Sequence, residues 1–174
     1  MSSQLQDVAT VATPLAKQDI VFHVQADFTI AYWSSKKQDE NLREQYDTAN
    51  LKVSGNYIKV NPELPILAAV AYENSGQDVV RVFYVGQDFT LRELRRVGEP
   101  GSKWYDGESL NSKEWDIDSK SGLTANIVKT GSMAQLKVFY QKKPNKLSVA
   151  YSVLNFVQDW EARDDWSNRA NVTN

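Results

Sequence analysis

The chain has 174 residues, enough for one real core and short for two, with 20 Lys and Arg against 22 Asp and Glu and no cysteine. Neither sign of charge gathers into a block, which argues against a nucleic-acid-binding arm or a tail for an acidic membrane surface; the one local cluster, Arg92, Glu93, Arg95 and Arg96, reads as a solvated face. Without cysteine there is no disulfide framework, thiolate nucleophile or Cys-ligated metal, so stability must come from packing.

Residues 1–17 are small and polar, lack the basic start and continuous apolar core of a signal peptide, and read as a flexible lead-in. No apolar run is long enough to span a bilayer. The expectation is a cytoplasmic protein without membrane insertion, or a secreted one if a signal has been removed. From Asp19 onward strand signals dominate: Asp19 to Gln25 alternates in period two, and Phe28 to Trp33, Leu67 to Tyr72, Val79 to Val85, Leu136 to Gln141 and Leu147 to Val153 are short, β-branched and aromatic. Gly, Asn, Asp or Pro separates them, and no segment makes a long amphipathic helix.

Self-comparison aligns three segments, about 18–65, 66–121 and 122–170, as repeats within a single domain 18–170. The clearest pair sets Val80-Arg81-Val82-Phe83-Tyr84-Val85 and Leu91-Arg92-Glu93-Leu94 beside Leu136-Lys137-Val138-Phe139-Tyr140-Gln141 and Leu147-Ser148-Val149-Ala150. Arg81 to Leu91 and Lys137 to Leu147 have the same separation, so register is kept across two strands and their turn. In the first copy Ile20 to Gln25 is read as the leading strand, Phe28 to Trp33 as the second, Leu42-Arg43-Glu44 as the third and Asn56 to Val60 as the fourth. A repeat of this length suits the four-stranded blade of a β-propeller. Three blades do not close a ring, so self-association is expected, most simply a homodimer with six blades. The alternative is a compact β-sandwich or barrel.

At Val80-Arg81-Val82-Phe83-Tyr84 followed by Leu91-Arg92-Glu93 the chain resembles the fungal fucose-binding lectins of the Aleuria aurantia type. The resemblance implies a six-bladed propeller that binds fucose or fucosylated glycans between blades, without a cofactor and without chemical change. It implies that Arg81 and Glu93 hold the sugar oxygens, with Glu44 in the first unit, and that Trp104 and Trp160 cover an apolar face. The chemistry suits these residue types: a guanidinium fork and a carboxylate together satisfy vicinal hydroxyls, and an indole covers C–H. Thr29 is read at the Arg position of the first unit, and Lys137 and Val149 at the Arg and Glu positions of the third. Hence the middle unit alone keeps both polar residues, with Ala134, Leu136, Ser152 and Trp160 across its cleft. The competing reading is a degenerate propeller serving as a structural or protein-interaction module.

Nothing supports catalysis. His23 is the only histidine and reads as a surface or edge residue, and there is no Gly-x-Ser-x-Gly elbow or phosphate-cradling glycine loop. Asp116/Asp118 and Asp164/Asp165 lack calcium-loop spacing and read as solvated turns.

Overall fold

The structure is a computed structural model that describes residues 7–35, 46–155 and 165–172. Along the chain run β1 (Val8–Ala12), β2 (Asp19–Val24), β3 (Ile30–Ser34), β4 (Asp47–Asn50), β5 (Lys52–Val53), β6 (Asn56–Tyr57), β7 (Leu67–Asn74), β8 (Gln77–Val85), β9 (Leu91–Val97) and β10 (Trp104–Asp106). A single helical turn α1 (Glu108–Asn111) follows, then β11 (Leu123–Thr130), β12 (Met133–Lys143), β13 (Lys146–Asn155) and β14 (Ser167–Arg169). They form three antiparallel four-stranded sheets, β1-β2-β3-β4, β7-β8-β9-β10 and β11-β12-β13-β14, with β5 and β6 as a separate hairpin.

Each sheet is an antiparallel meander, and tight turns join β2 to β3, β7 to β8, β8 to β9, β11 to β12 and β12 to β13, where only antiparallel pairing is within reach. The turn between second and third strands repeats. Asp27 Oδ1 accepts hydrogen bonds from the Thr29 amide and hydroxyl, and Asp88 Oδ1 does the same with Thr90. The residue between, Phe28 at φ 65° and Phe89 at φ 59°, is left-handed; the third sheet puts Asn145 there, at φ 60°. Asparagine adopts that region more readily than a bulky aromatic residue, and the Asp–Thr bonds offset the strain in the first two turns.

Two apolar cores lie between the sheets. One joins Ile20, Phe22, Val24 and Ile30 of the first sheet to Val80, Val82, Leu94 and Trp104 of the second. The other joins Val70, Tyr72, Phe83 and Val85 of the second to Leu136, Val138, Tyr140 and Trp166 of the third. The second sheet is therefore buried on both faces, and β8 reads as an almost continuous apolar run broken by Arg81. The first strands β1, β7 and β11 converge, with the Leu67 amide donating to Asp7 Oδ2 at 2.6 Å, so the sheets radiate as blades from one axis. Among the described residues no helix is long and apolar enough to cross a membrane.

Two expectations are corrected. Val8–Ala12, read as lead-in, is the first strand of the first sheet and pairs with β2 along its length. That moves the first unit by one strand: β2 is its second strand, β3 its third and β4 its fourth, while Asn56–Tyr57 belongs to the small hairpin. The residues paired across β2 and β3, such as Phe22 with Tyr32, match Phe83 with Glu93 in the second sheet. The structural counterparts of Arg81 and Glu93 in the first sheet are thus Ile20 and Tyr32, not Thr29 and Glu44.

Candidate functional site

Arg81 on β8 and Glu93 on β9 sit diagonally across one face of the second sheet, since Arg81 pairs with Arg95 and Phe83 with Glu93. Diagonal neighbours on one face lie within reach of long side chains. Arg81 Nη1 donates to Glu93 Oε1 at 2.6 Å, and the two side chains are 4% and 1% exposed. Arg81 Nε donates to the Tyr72 hydroxyl at 2.9 Å, and the guanidinium carbon lies 5.7 Å from the Tyr72 ring centre. Tyr72 shares the face because β7 runs beside β8 in register. It is the third member of the cluster, and its alternating strand signal alone could not mark it as a partner of Arg81.

The carboxylate side is closed by the segment after β10. The Gly107 amide donates to the Glu93 carbonyl at 2.9 Å, and Asn111 Oδ1 accepts from the Glu93 amide at 2.7 Å. A Cβ on Gly107 would lie 2.4 Å from Glu93 Oε2, so this position requires glycine for close approach. The expectation of a solvated basic face at residues 92–96 fails here: Glu93 is 1% and Arg96 2% exposed. Both are enclosed because the second sheet is covered on its two faces.

Arg81 and Glu93 lie on the face of the second sheet that packs on the third, as the repeat register expects, with Ala134 and Leu136 in the same core as Tyr72 and Phe83. Across it stands Trp166, 2% exposed, packed edge-on against Phe83 at 5.8 Å and 78°. Trp166 directly precedes Ser167, which pairs with Tyr151, just as Trp104 precedes Tyr105, which pairs with Arg95. Trp166 is therefore the counterpart of Trp104, the position that sequence comparison assigned to Trp160. The Trp166 indole nitrogen and the Ser152 hydroxyl are buried without a hydrogen-bond partner among the described residues. Such buried polar groups are costly unless something bonds them.

Trp104 lies in the neighbouring cleft, between the first and second sheets, edge-on to Phe22 at 5.7 Å and 83°. There the fork and carboxylate are replaced by Ile20 and Tyr32, and the cation comes from the opposite wall: the Arg96 guanidinium carbon is 5.5 Å from the Trp104 ring centre. Burial holds the Arg96 pKa below its ordinary value, opposed by Tyr32 and the Asp78 carboxylate. In the third sheet Lys137 and Val149 occupy the Arg and Glu positions, as expected. Glu44 and Trp160 lie outside the described residues. Among the described residues no group of three His, Asp or Glu side chains gathers to hold a metal.

The fold is that of known β-propellers. AofleA from Arthrobotrys oligospora is 22% identical with a TM-score of 0.65, over 96% of this chain and 41% of that one. The fucose-specific lectin of Aleuria aurantia, a six-bladed propeller, is 22% identical with a TM-score of 0.64, over 97% of this chain and 49% of that one. A fucose lectin from Kordia zhangzhouensis, solved with methyl-fucoside, is 15% identical with a TM-score of 0.57, over 93% of this chain and 96% of that one. This chain thus spans less than half the length of the first two. No curated protein matches it. The sequence profile of the fungal fucose-specific lectins matches residues 41–172, and the chain belongs to that family.

Proposed function

We infer that the protein is a non-catalytic lectin that binds a carbohydrate, fucose or a fucosylated glycan, in the cleft between its second and third sheets. One observation carries this reading: Arg81 and Glu93 meet at 2.6 Å within a family register, facing a wall whose Trp166 nitrogen has no partner among the described residues. Tyr72 and Glu93 fix two edges of the guanidinium, which pre-organises the fork and lowers the entropy lost on binding. The fork donates to a ring or hydroxyl oxygen, Glu93 accepts from a hydroxyl, and Trp166 contributes an N–H and an apolar edge. An open arc of three blades leaves the outer faces of the first and third sheets without a neighbouring sheet among the described residues, so the reading includes self-association as a homodimer. Several copies of one weak site then act together through avidity.

A second reading has its own support. Arg81 and Glu93 neutralise each other in the core, so they could serve stability alone in an interaction module. Titration of the protein with α-methyl fucoside, run beside Arg81→Lys, separates the two. The lysine keeps the charge beside Glu93 but loses the fork, so binding should fall at least about tenfold while the fold survives. Absence of binding by the parent protein, or an unchanged affinity in Arg81→Lys, sinks the lectin reading.

A further inference from the structure

The second sheet buries one arginine on each face and treats the two differently. Arg81 pairs with Arg95, and Arg96 is the next residue along β9, so its side chain leaves the sheet on the other side, toward the first sheet. Arg81 has acceptors within its own sheet, Glu93 for Nη1 and the Tyr72 hydroxyl for Nε. Arg96 is 2% exposed, and neither its Nε nor its Nη2 has a hydrogen-bond partner among the described residues. Trp104, its cross-strand neighbour, buries an indole nitrogen that lacks a partner in the same sense.

All three atoms are donors. A guanidinium keeps its proton, so loss of charge cannot relieve its burial. Nε and Nη2 form one edge of that group, and their parallel N–H bonds match the two oxygens of a carboxylate. The protein supplies no such acceptor here. Asp78 acts on the charge of Arg96, but its oxygens are turned to the backbone, where they accept the Leu15 and Ala16 amides at 2.9 and 2.7 Å. At the counterpart of Glu93 the first sheet carries Tyr32. Water would bond the free edge without offsetting its charge, whereas an anion does both. The rings of Phe22, Tyr32 and Trp104 lie 5.7–6.1 Å apart around this point, and an apolar wall of this kind strengthens a charged contact. Tyr32 is only partly buried, so the cleft meets solvent on its side.

We propose that the cleft between the first and second sheets is an anion site that takes a carboxylate, gripped by the Nε–Nη2 edge of Arg96, with the Trp104 indole N–H as a further donor. Its chemistry is the inverse of that at Arg81. There the protein brings both guanidinium and carboxylate and suits a neutral hydroxyl-bearing ligand; here it brings donors alone, and the ligand brings the carboxylate. Such a group is carried by an acidic sugar or by a small organic acid. The inference goes beyond the fucoside reading and stands without it, because the two sites use opposite faces of the sheet.

The test is calorimetric titration of the parent protein with sodium glucuronate, sodium acetate and glucose, in sodium chloride at one ionic strength. At least one carboxylate should bind, one per chain, and glucose, the neutral counterpart of glucuronate, should not compete with it. Glucuronate tighter than acetate assigns the group to a sugar acid, and equal affinities assign it to a free organic acid. Arg96→Lys keeps the charge and loses the paired edge, so carboxylate affinity should fall at least about tenfold. Where that variant does not fold, Trp104→Phe, which keeps a ring against Phe22 and loses the N–H, should weaken the carboxylate at least about threefold. No carboxylate binding above the chloride background, competition by glucose, or an unchanged affinity in the folded variant overturns the proposal. Titration with α-methyl fucoside reads the other cleft separately: a parent that binds carboxylate but no fucoside overturns the lectin reading alone, and the reverse overturns the anion site alone.

Discussion

Glu93→Ala is the most informative perturbation of the fold, because it tests whether the pair at 2.6 Å behaves as a buried charge pair. With side-chain exposures of 4% and 1%, solvent offers Arg81 little compensation for the loss of the Glu93 carboxylate. Two unit charges about 4 Å apart attract by about 4 kcal/mol at an effective dielectric of about 20. Removing one partner of such a pair typically costs about 3–5 kcal/mol, since the remaining charge keeps its desolvation cost. The bond from Arg81 Nε to Tyr72 survives but is neutral at its acceptor, so it recovers little of the loss. Arg81→Met with Glu93→Met removes both charges and keeps similar volume; its stability should lie within about 1–2 kcal/mol of the parent. The assay is urea unfolding of the parent, both single variants and the double variant at one protein concentration, with shared slopes. A single-variant loss below about 1 kcal/mol, or a double variant that loses the sum of the singles, would refute the buried-pair argument.

Three further outcomes follow from the same geometry. Gly107→Ala places a methyl group 2.4 Å from Glu93 Oε2, so it should cost about 1–3 kcal/mol and weaken fucoside binding, measured by unfolding and titration together. Trp166→Ala should cost about 3–5 kcal/mol in the same unfolding assay, because it empties the contact with Phe83 in the second core. His23 is buried without a hydrogen-bond partner among the described residues, and burial holds its pKa below 6.5. The unfolded chain then binds the proton first, so the contribution of His23 falls as pH drops below about 6.5, down to its folded pKa. Thermal unfolding between neutral and mildly acidic pH should show this slope, and His23→Phe should remove it.

Much of this arrangement was legible before any coordinates. Strand β8 and its partner β9 announce themselves by β-branched and aromatic residues around a turn, and the matching interval in β12 and β13 places Arg81 and Glu93 on one face. That inference is local: alternation and hairpin length settle which side chains are neighbours on a sheet. The first unit was mis-registered because Val8–Ala12 is short, with three of its five residues small Ala or Thr, and carries little periodic signal. A truer marker was present in Asp27-Phe28-Thr29 and Asp88-Phe89-Thr90, which align the turns of the two sheets directly.

The fourth strands show the limit most plainly. β10 and β14 have three residues each, too few for a period, so only hydrogen bonding to β9 and β13 shows that Trp104 answers to Trp166. Burial was likewise hidden, because charge pattern along β9 cannot tell whether a sheet is covered on one face or two. Composition and repeat determined by themselves that the chain is all-β, built from one unit, and that Arg81 lies near Glu93. Stacking of the sheets decided the rest: it buried that pair, chose Trp166 to face it, and set Arg96 on the opposite wall of the next cleft. Such choices depend on contacts between residues far apart in the chain, and no period within a strand encodes them.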